Sequence, residues 1–215
     1  MILHGFWRSS ATYRVRIALA LKGLACEYRP VNIGVDHAAQ FSTPYQALNP
    51  ESRVPTLEVD GLVLTQSWAI LEWLEERHPI PPLLPGSPDE RARVRGLAQL
   101  VVADIQPLQN LGVTEYLKQP LGASPEAVAA WLQHWIARGL AAFEARLARD
   151  AGTGRFCHGE TPTLADVCLV PQCYSARRFG VDPAAYPQIA RIEANCQALP
   201  AFAAAVPERQ PDAIR

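Results

Sequence analysis

The stretch His78-Pro79-Ile80-Pro81-Pro82-Leu83-Leu84-Pro85-Gly86-Ser87-Pro88 limits the possible folds of this chain more than any other. Proline lacks a backbone N–H and fixes φ, so five prolines in so short a run exclude regular helix. The run predicts a linker over residues 79–88, and the patterning changes across it. On its N-terminal side, short apolar runs alternate with helical periodicity. On its C-terminal side strand patterning disappears, and Ala, Leu, Arg and Glu dominate. The spacing predicts an α/β domain over 1–78 and an all-α domain over 89–215.

Within 1–78 the pattern reads strand 1–6, helix 11–22, a strand-like run 27–33, and a short helix around Gln40 to Leu48. Two further strands flank Asp60-Gly61, the dipeptide of a tight hairpin. A helix follows, with Ser67 as its expected N-cap and Ile70, Leu71 and Leu74 as its buried stripe. A parallel βαβ followed by an antiparallel hairpin and a closing helix is a thioredoxin-like arrangement. Beyond the linker, helices are expected at 88–118, 125–150, 163–178 and 184–198, with a short one near 199–205. Thr163-Leu164-Ala165-Asp166 reads as a capping box with Asp in place of Glu.

Charge and cysteine usage exclude several functions. The 20 basic and 21 acidic side chains leave a net charge of −1, which supports neither nucleic acid nor an anionic membrane as partner. No apolar run approaches the length of a membrane span, and the N-terminus lacks a secretory pattern, so the expected location is cytoplasmic. The five cysteines (26, 157, 168, 173 and 196) include no C-x-x-C pair, which fits a reducing compartment and argues against a zinc site. The histidines (4, 37, 78, 134 and 158) form no pair at ligand spacing, so no metal is expected.

The chemistry concentrates at Ser9-Ser10, between the first strand and the first helix. A helix N-terminus presents unpaired N–H groups and the positive end of the dipole, which together favour an anion. Hydroxyls there can donate to a thiolate or carboxylate, or simply cap the helix; on the residues alone the cap is favoured. Val54-Pro55 opens a strand, where a trans proline is the ordinary state. A cis bond would turn the Val54 amide and carbonyl toward an extended ligand.

The order of elements, together with particular motifs, resembles the glutathione transferases over the whole chain. Val54-Pro55-Thr56-Leu57 and Gln66-Ser67 resemble features found across that family. Ser9-Ser10 followed by Arg14-Val15-Arg16-Ile17, the stretch Ile105-Gln106-Pro107-Leu108-Gln109-Asn110, and Ser175-Ala176-Arg177-Arg178-Phe179 resemble the zeta class, which contains maleylacetoacetate and maleylpyruvate isomerases. Ala47-Leu48-Asn49-Pro50, Thr161 to Gln172, and the tail Ala205 to Asp212 fit as well. Ala11 stands where the zeta signature has cysteine, which removes any mechanism needing a protein thiol in this turn.

The resemblance implies the glutathione transferase fold, glutathione as cofactor, and a homodimer. It implies that Ser9, assisted by Ser10, donates to the glutathione thiolate, and that Ala11 lies in the same turn. Val54 would pair with the tripeptide backbone, Gln66 and Ser67 with the γ-glutamyl carboxylate, and Gln40 with the glycyl end. Asp104, Gln106 and Asn110 would complete the cofactor pocket. The implied reaction is cis–trans isomerisation of a maleyl dicarboxylate by reversible thiolate addition. Arg8 and Arg178 are the expected carboxylate partners, Arg178 also offsetting the charge that develops on the substrate. Arg14 and Arg16 are weaker candidates or structural residues paired with acids of the second domain. The alternatives are a transferase conjugating small electrophiles such as α-halo acids, and a non-enzymatic adaptor, which would not need Ser9 or Gln66-Ser67.

Overall fold

Strand β1 (Ile2–Gly5) lies inside a four-stranded sheet of order β2-β1-β3-β4. β2 (Glu27–Pro30) runs parallel to β1, with Ile2 opposite Glu27. β3 (Thr56–Val59) runs antiparallel to it, with Leu3 opposite Leu57, and β4 (Leu62–Thr65) returns beside β3. The hairpin turns on Asp60 and Gly61, both at positive φ (49° and 80°), as the twist of a two-residue turn requires. A parallel β1–β2 pair needs a crossover, which α1 (Ser10–Leu21) supplies. Val15, Ile17 and Leu19 of α1, Leu3 and Leu57 of the sheet, and Ile70, Leu71 and Leu74 of α3 (Ser67–Arg77) are buried. At the far end of α1 the buried Lys22 ammonium uses all three donors: Glu75 at 2.8 Å, the His78 carbonyl at 2.6 Å and the Pro81 carbonyl at 3.0 Å. The short α2 (Thr43–Leu48) lies between β2 and β3.

The computed structural model describes residues 1–34 and 38–214, so His37 lies outside the described residues. The chain divides into two units, Met1–Pro82 with Ala198–Arg215, and Leu83–Gln197. The division falls inside the proline-rich stretch. The tail, read from sequence as part of the helical domain, instead belongs with the first unit. Its α9 (Pro200–Ala205) packs on α1, and the Asp212 carboxylate accepts from the Trp7 N–H at 2.9 Å.

The second unit is helical: α4 (Pro88–Gln99), α5 (Leu111–Lys118), α6 (Pro125–Arg149), α7 (Leu164–Arg178) and α8 (Pro187–Gln197). Along α6, Val128, Leu132, Ile136, Leu140, Phe143 and Leu147 recur every three or four residues and form its buried stripe. The Thr163–Asp166 capping box closes as expected. Asp166 accepts from the Thr163 N–H, the Thr163 hydroxyl and the Cys157 N–H, each at 2.8 Å.

The expected single helix over 88–118 is interrupted. After α4, Leu100–Ile105 forms a wide π-helical turn and Gln106–Gln109 a tight 3-10 turn before α5 begins. Pro107 cannot donate, so the α-helical ladder cannot run through it, and α5 starts afresh with Asn110 as its N-cap. Gly139 of α6 accommodates the widened turn, since a Cβ there would lie 2.3 Å from Ile105 Cγ1. Among the described residues, no helix is long and apolar enough to cross a membrane.

Candidate active site

Ser9 is the N-cap of α1, and its hydroxyl oxygen accepts from the Thr12 N–H at 3.2 Å. A hydroxyl that accepts a cap bond keeps its own O–H to donate, so capping and anion binding are compatible roles for one side chain. Ser10 and Ala11 follow as the first helical residues, both half-buried, and Arg8 is exposed with its guanidinium 5.1 Å from the Trp7 ring centre. No acidic residue occupies the first turn of α1, so no side-chain carboxylate there offsets the positive helix end. The turn is tight: a Cβ at Gly5 would lie 2.3 Å from Thr12 Cγ2, and only glycine lets β1 end this close to α1.

The first turn of α3 repeats the pattern of a helix start free of acids. Ser67 is not the cap expected from sequence. The cap position is taken by Gln66, whose φ of 64° is unusual for a non-glycine residue, and Ser67 is the first helical residue. Sequence could not anticipate this, because Thr65-Gln66-Ser67 offers a better capping side chain at Ser67 than at Gln66. The Gln66 amide donates to the Glu51 carboxylate, which also accepts from the Thr65 hydroxyl at 3.0 Å. Ser67 is buried and accepts from Arg14 Nη1 at 3.2 Å. Arg14 donates to Ser67, and Arg16 donates to the carbonyls of Trp7 and Ala205, contacts that fit the structural alternative for these two arginines.

Val54 is joined to Pro55 by a cis peptide bond and stands ahead of the β1–β3 register, which reaches only to Thr56. The loop before it is organised by two residues that sequence reasoning did not single out. Asn49 Nδ2 donates to the Arg53 carbonyl (2.9 Å) and Thr56 Oγ1 (3.0 Å), and the Tyr45 hydroxyl donates to the same carbonyl at 2.7 Å. Asn49 lay inside a family motif, which was the one sequence signal available. Gln40 is buried, and its Oε1 has no hydrogen-bond partner among the described residues. A buried acceptor without a donor is costly, and a ligand N–H would relieve it.

In the second unit, Asp104 is exposed on the π-helical turn and Gln106 is half-buried at the start of the 3-10 turn. Asn110 Oδ1 is engaged as a cap, accepting from the Gly112 N–H at 3.1 Å. The neighbouring Gln109 forms a buried reciprocal amide pair with Gln172 of α7, at 3.1 and 2.9 Å, which ties this turn to α7. Arg177 makes a bidentate bond to Glu193 (2.7 and 2.6 Å), while Arg178 is exposed with its guanidinium 5.1 Å from the Phe179 ring centre. Burial pushes the thiols of Cys26, Cys157, Cys173 and Cys196 up, away from the thiolate form.

A β2-β1-β3-β4 sheet followed in the chain by an all-helical unit is the arrangement of a glutathione transferase, and comparison with known proteins places the chain in that class. The glutathione S-transferase N-terminal domain matches residues 3–86, and the C-terminal domain of the same family matches residues 125–195. The maleylpyruvate isomerase of a Ralstonia species is 49% identical over 212 residues, 99% of each chain. A holo structure of a bacterial maleylpyruvate isomerase of the zeta class superposes with a TM-score of 0.96 at 48% identity, covering 100% of both chains. The maleylacetoacetate isomerase of Methylobacterium extorquens AM1, solved with malonate and glutathione bound, gives 0.95 at 43% identity, again over 100% of both chains. The chain belongs to the zeta-class glutathione transferases, the family of the maleylacetoacetate and maleylpyruvate isomerases.

Proposed function

We propose that this chain is a glutathione-dependent isomerase that converts maleylacetoacetate or maleylpyruvate to the fumaryl product, in the catabolism of aromatic compounds. The observation that carries this function is Ser9, whose hydroxyl caps α1 through its oxygen and retains its O–H at a helix end without a neutralising acid. Glutathione fits the residues present. Two helix starts whose first turns carry no acidic residue suit its anionic thiol and γ-glutamyl carboxylate, and the unpartnered Gln40 Oε1 suits an N–H of its glycyl end. When bound, glutathione supplies the thiolate that adds reversibly to the substrate's double bond.

Ser9 holds that sulfur in its anionic form by donating to it, with Ser10 assisting at the same terminus. Gln66 and Ser67 hold the γ-glutamyl end, and Val54 offers its peptide groups to the tripeptide backbone. The cofactor residues proposed in the second unit are Asp104, Gln106 and Asn110. Arg8 and Arg178 are the proposed carboxylate partners of the substrate, and Arg178 also stabilises the negative charge that develops on its carbonyl oxygen. Five cysteines that form no disulfide support a cytoplasmic location, and family membership supports a homodimer.

Ser9→Ala tests the assignment. Turnover of maleylpyruvate should fall on the order of 100-fold, as for loss of one donor to a developing anion. Removing the cap should cost only about 1 kcal/mol of stability. Unchanged turnover would remove Ser9 from the reaction.

A further inference from the structure

Trp7, two residues before Ser9, has both of its backbone groups held by charged side chains. Its N–H donates to Asp212 Oδ2 at 2.9 Å, and its carbonyl accepts from Arg16 Nη2 at 2.9 Å. The same guanidinium donates through Nε to the Ala205 carbonyl at 3.1 Å, and the Tyr28 hydroxyl donates to Asp212 Oδ2 at 3.2 Å. Arg16 also lies over the Tyr13 ring, 5.3 Å from its centre. Immediately downstream, the Ser9 N–H closes the turn onto the Phe6 carbonyl at 3.0 Å. The peptide units of Trp7 are therefore the fixed base of the turn that presents Ser9, and the far end of the chain helps to fix them.

The arrangement is a poor device for stability alone. Asp212 Oδ1 and Arg16 Nη1 are both buried without a hydrogen-bond partner among the described residues. Desolvating charges and leaving some of their hydrogen-bonding capacity unused costs free energy that an apolar tail contact would not. What the charges do secure is direction, since charge-assisted hydrogen bonds are short and geometrically demanding. Burial and the Asp212 carboxylate push the Tyr28 phenol up, so it remains a donor throughout the working pH range.

We propose that Asp212 is a positioning residue for the chemistry at Ser9, acting through the Trp7 amide to set where the Ser9 hydroxyl and the start of α1 stand. The inference rests on Ser9 being the donor to the glutathione thiol. Full-length protein with glutathione provides the test, with the bound thiolate titrated by its ultraviolet absorbance and the rate of maleylpyruvate isomerisation measured alongside.

Asp212→Ala should raise the apparent pKa of the bound thiol by about half a unit or more, as a donor is displaced from the anion. It should also lower kcat about tenfold with KM for maleylpyruvate moved less than about twofold, the signature of misplacement rather than lost binding. Asp212→Asn, whose amide oxygen can still accept from Trp7, should recover kcat to within about threefold of the parent. If Asp212→Ala does not fold, Asp212→Glu carries the test, because it keeps the charge but moves the carboxylate out of register and should shift the thiol titration the same way. A parent titration left unmoved by these substitutions, with only thermal stability reduced, would overturn the positioning role while leaving Ser9 in place. A parent protein with no titrating bound thiol would overturn both.

Discussion

Arg14 Nη1 donates to Ser67 Oγ at 3.2 Å, joining the helix that begins at Ser9 to the first residue of the helix that begins beside Gln66. The two helix starts are thus linked by a fully buried guanidinium, and Ser67 is oriented from α1. Such a link favours a common alignment of the two ends of one ligand. It also explains an arginine in the core side of α1, where periodicity alone would place an aliphatic residue.

Arg14→Lys should therefore act on cofactor binding. The ammonium is a point charge without the planar fork, and Ser67 would lose its fixed donor. KM for glutathione should rise about tenfold, which corresponds to about 1.4 kcal/mol, with a smaller change in kcat. Steady-state kinetics with glutathione as the varied substrate checks this. An unchanged KM would make Arg14 a structural residue only.

Arg178 should behave differently, because it is assigned to the substrate. Arg177 is committed to Glu193 and serves as the internal control. Arg178→Ala should raise KM for maleylpyruvate about tenfold and lower kcat further, since a carboxylate partner and a charge stabiliser are lost together. KM for glutathione should stay within about twofold. Arg177→Ala should instead lower the melting temperature, because it leaves the buried Glu193 carboxylate without its counter-charge, with only Gln197 still donating to it. Equal effects of the two substitutions on turnover would contradict the division of roles.

The α6–α7 connection has a pH-sensitive anchor. The Arg93 guanidinium and the Gly152 N–H hold the Asp150 carboxyl below the usual carboxylate range. The unfolded chain therefore binds this proton more readily than the folded one. The stabilisation is complete above the ordinary carboxylate pKa, about 3.9, and is lost as pH falls through the lower folded value. Asp150→Asn should reduce the melting temperature slightly at pH 6 and should flatten its fall between pH 5 and 3 relative to the parent. The effect is small because the pair is solvent-screened. Parallel melting curves for parent and variant across that range would remove the anchor.

Local patterning made much of the first unit legible. The β1–α1 start, the Asp60-Gly61 hairpin and the buried stripe of α3 each depend on residues only a few positions apart, as does the Thr163–Asp166 cap. What escaped depended on distance. Asp212 and Trp7 are 205 residues apart, so nothing near either residue announces that the tail joins the first unit. The interruption after α4 escaped for a different reason. Ala, Leu and Val continue the helical period through Leu100–Ile105, and Pro107 marked the break only if it was weighed above that period. At the site, Ser9 was legible as a cap, and the family motifs carry the proposal that it donates to the thiol. Arg16, Asn49 and Tyr45, which hold the surrounding backbone, were not, because each acts through backbone groups it meets only after folding.

The proposed isomerisation requires glutathione and returns it. Isomerisation of maleylpyruvate and maleylacetoacetate should be followed by absorbance, with and without glutathione, while free thiol is titrated in the same samples. Turnover that depends on glutathione and leaves its concentration unchanged is the expected result, and the ratio of kcat/KM for the two substrates would identify the preferred one. No isomerisation of either substrate, with thiol consumed on an α-halo acid, would contradict it and make the protein a conjugating transferase.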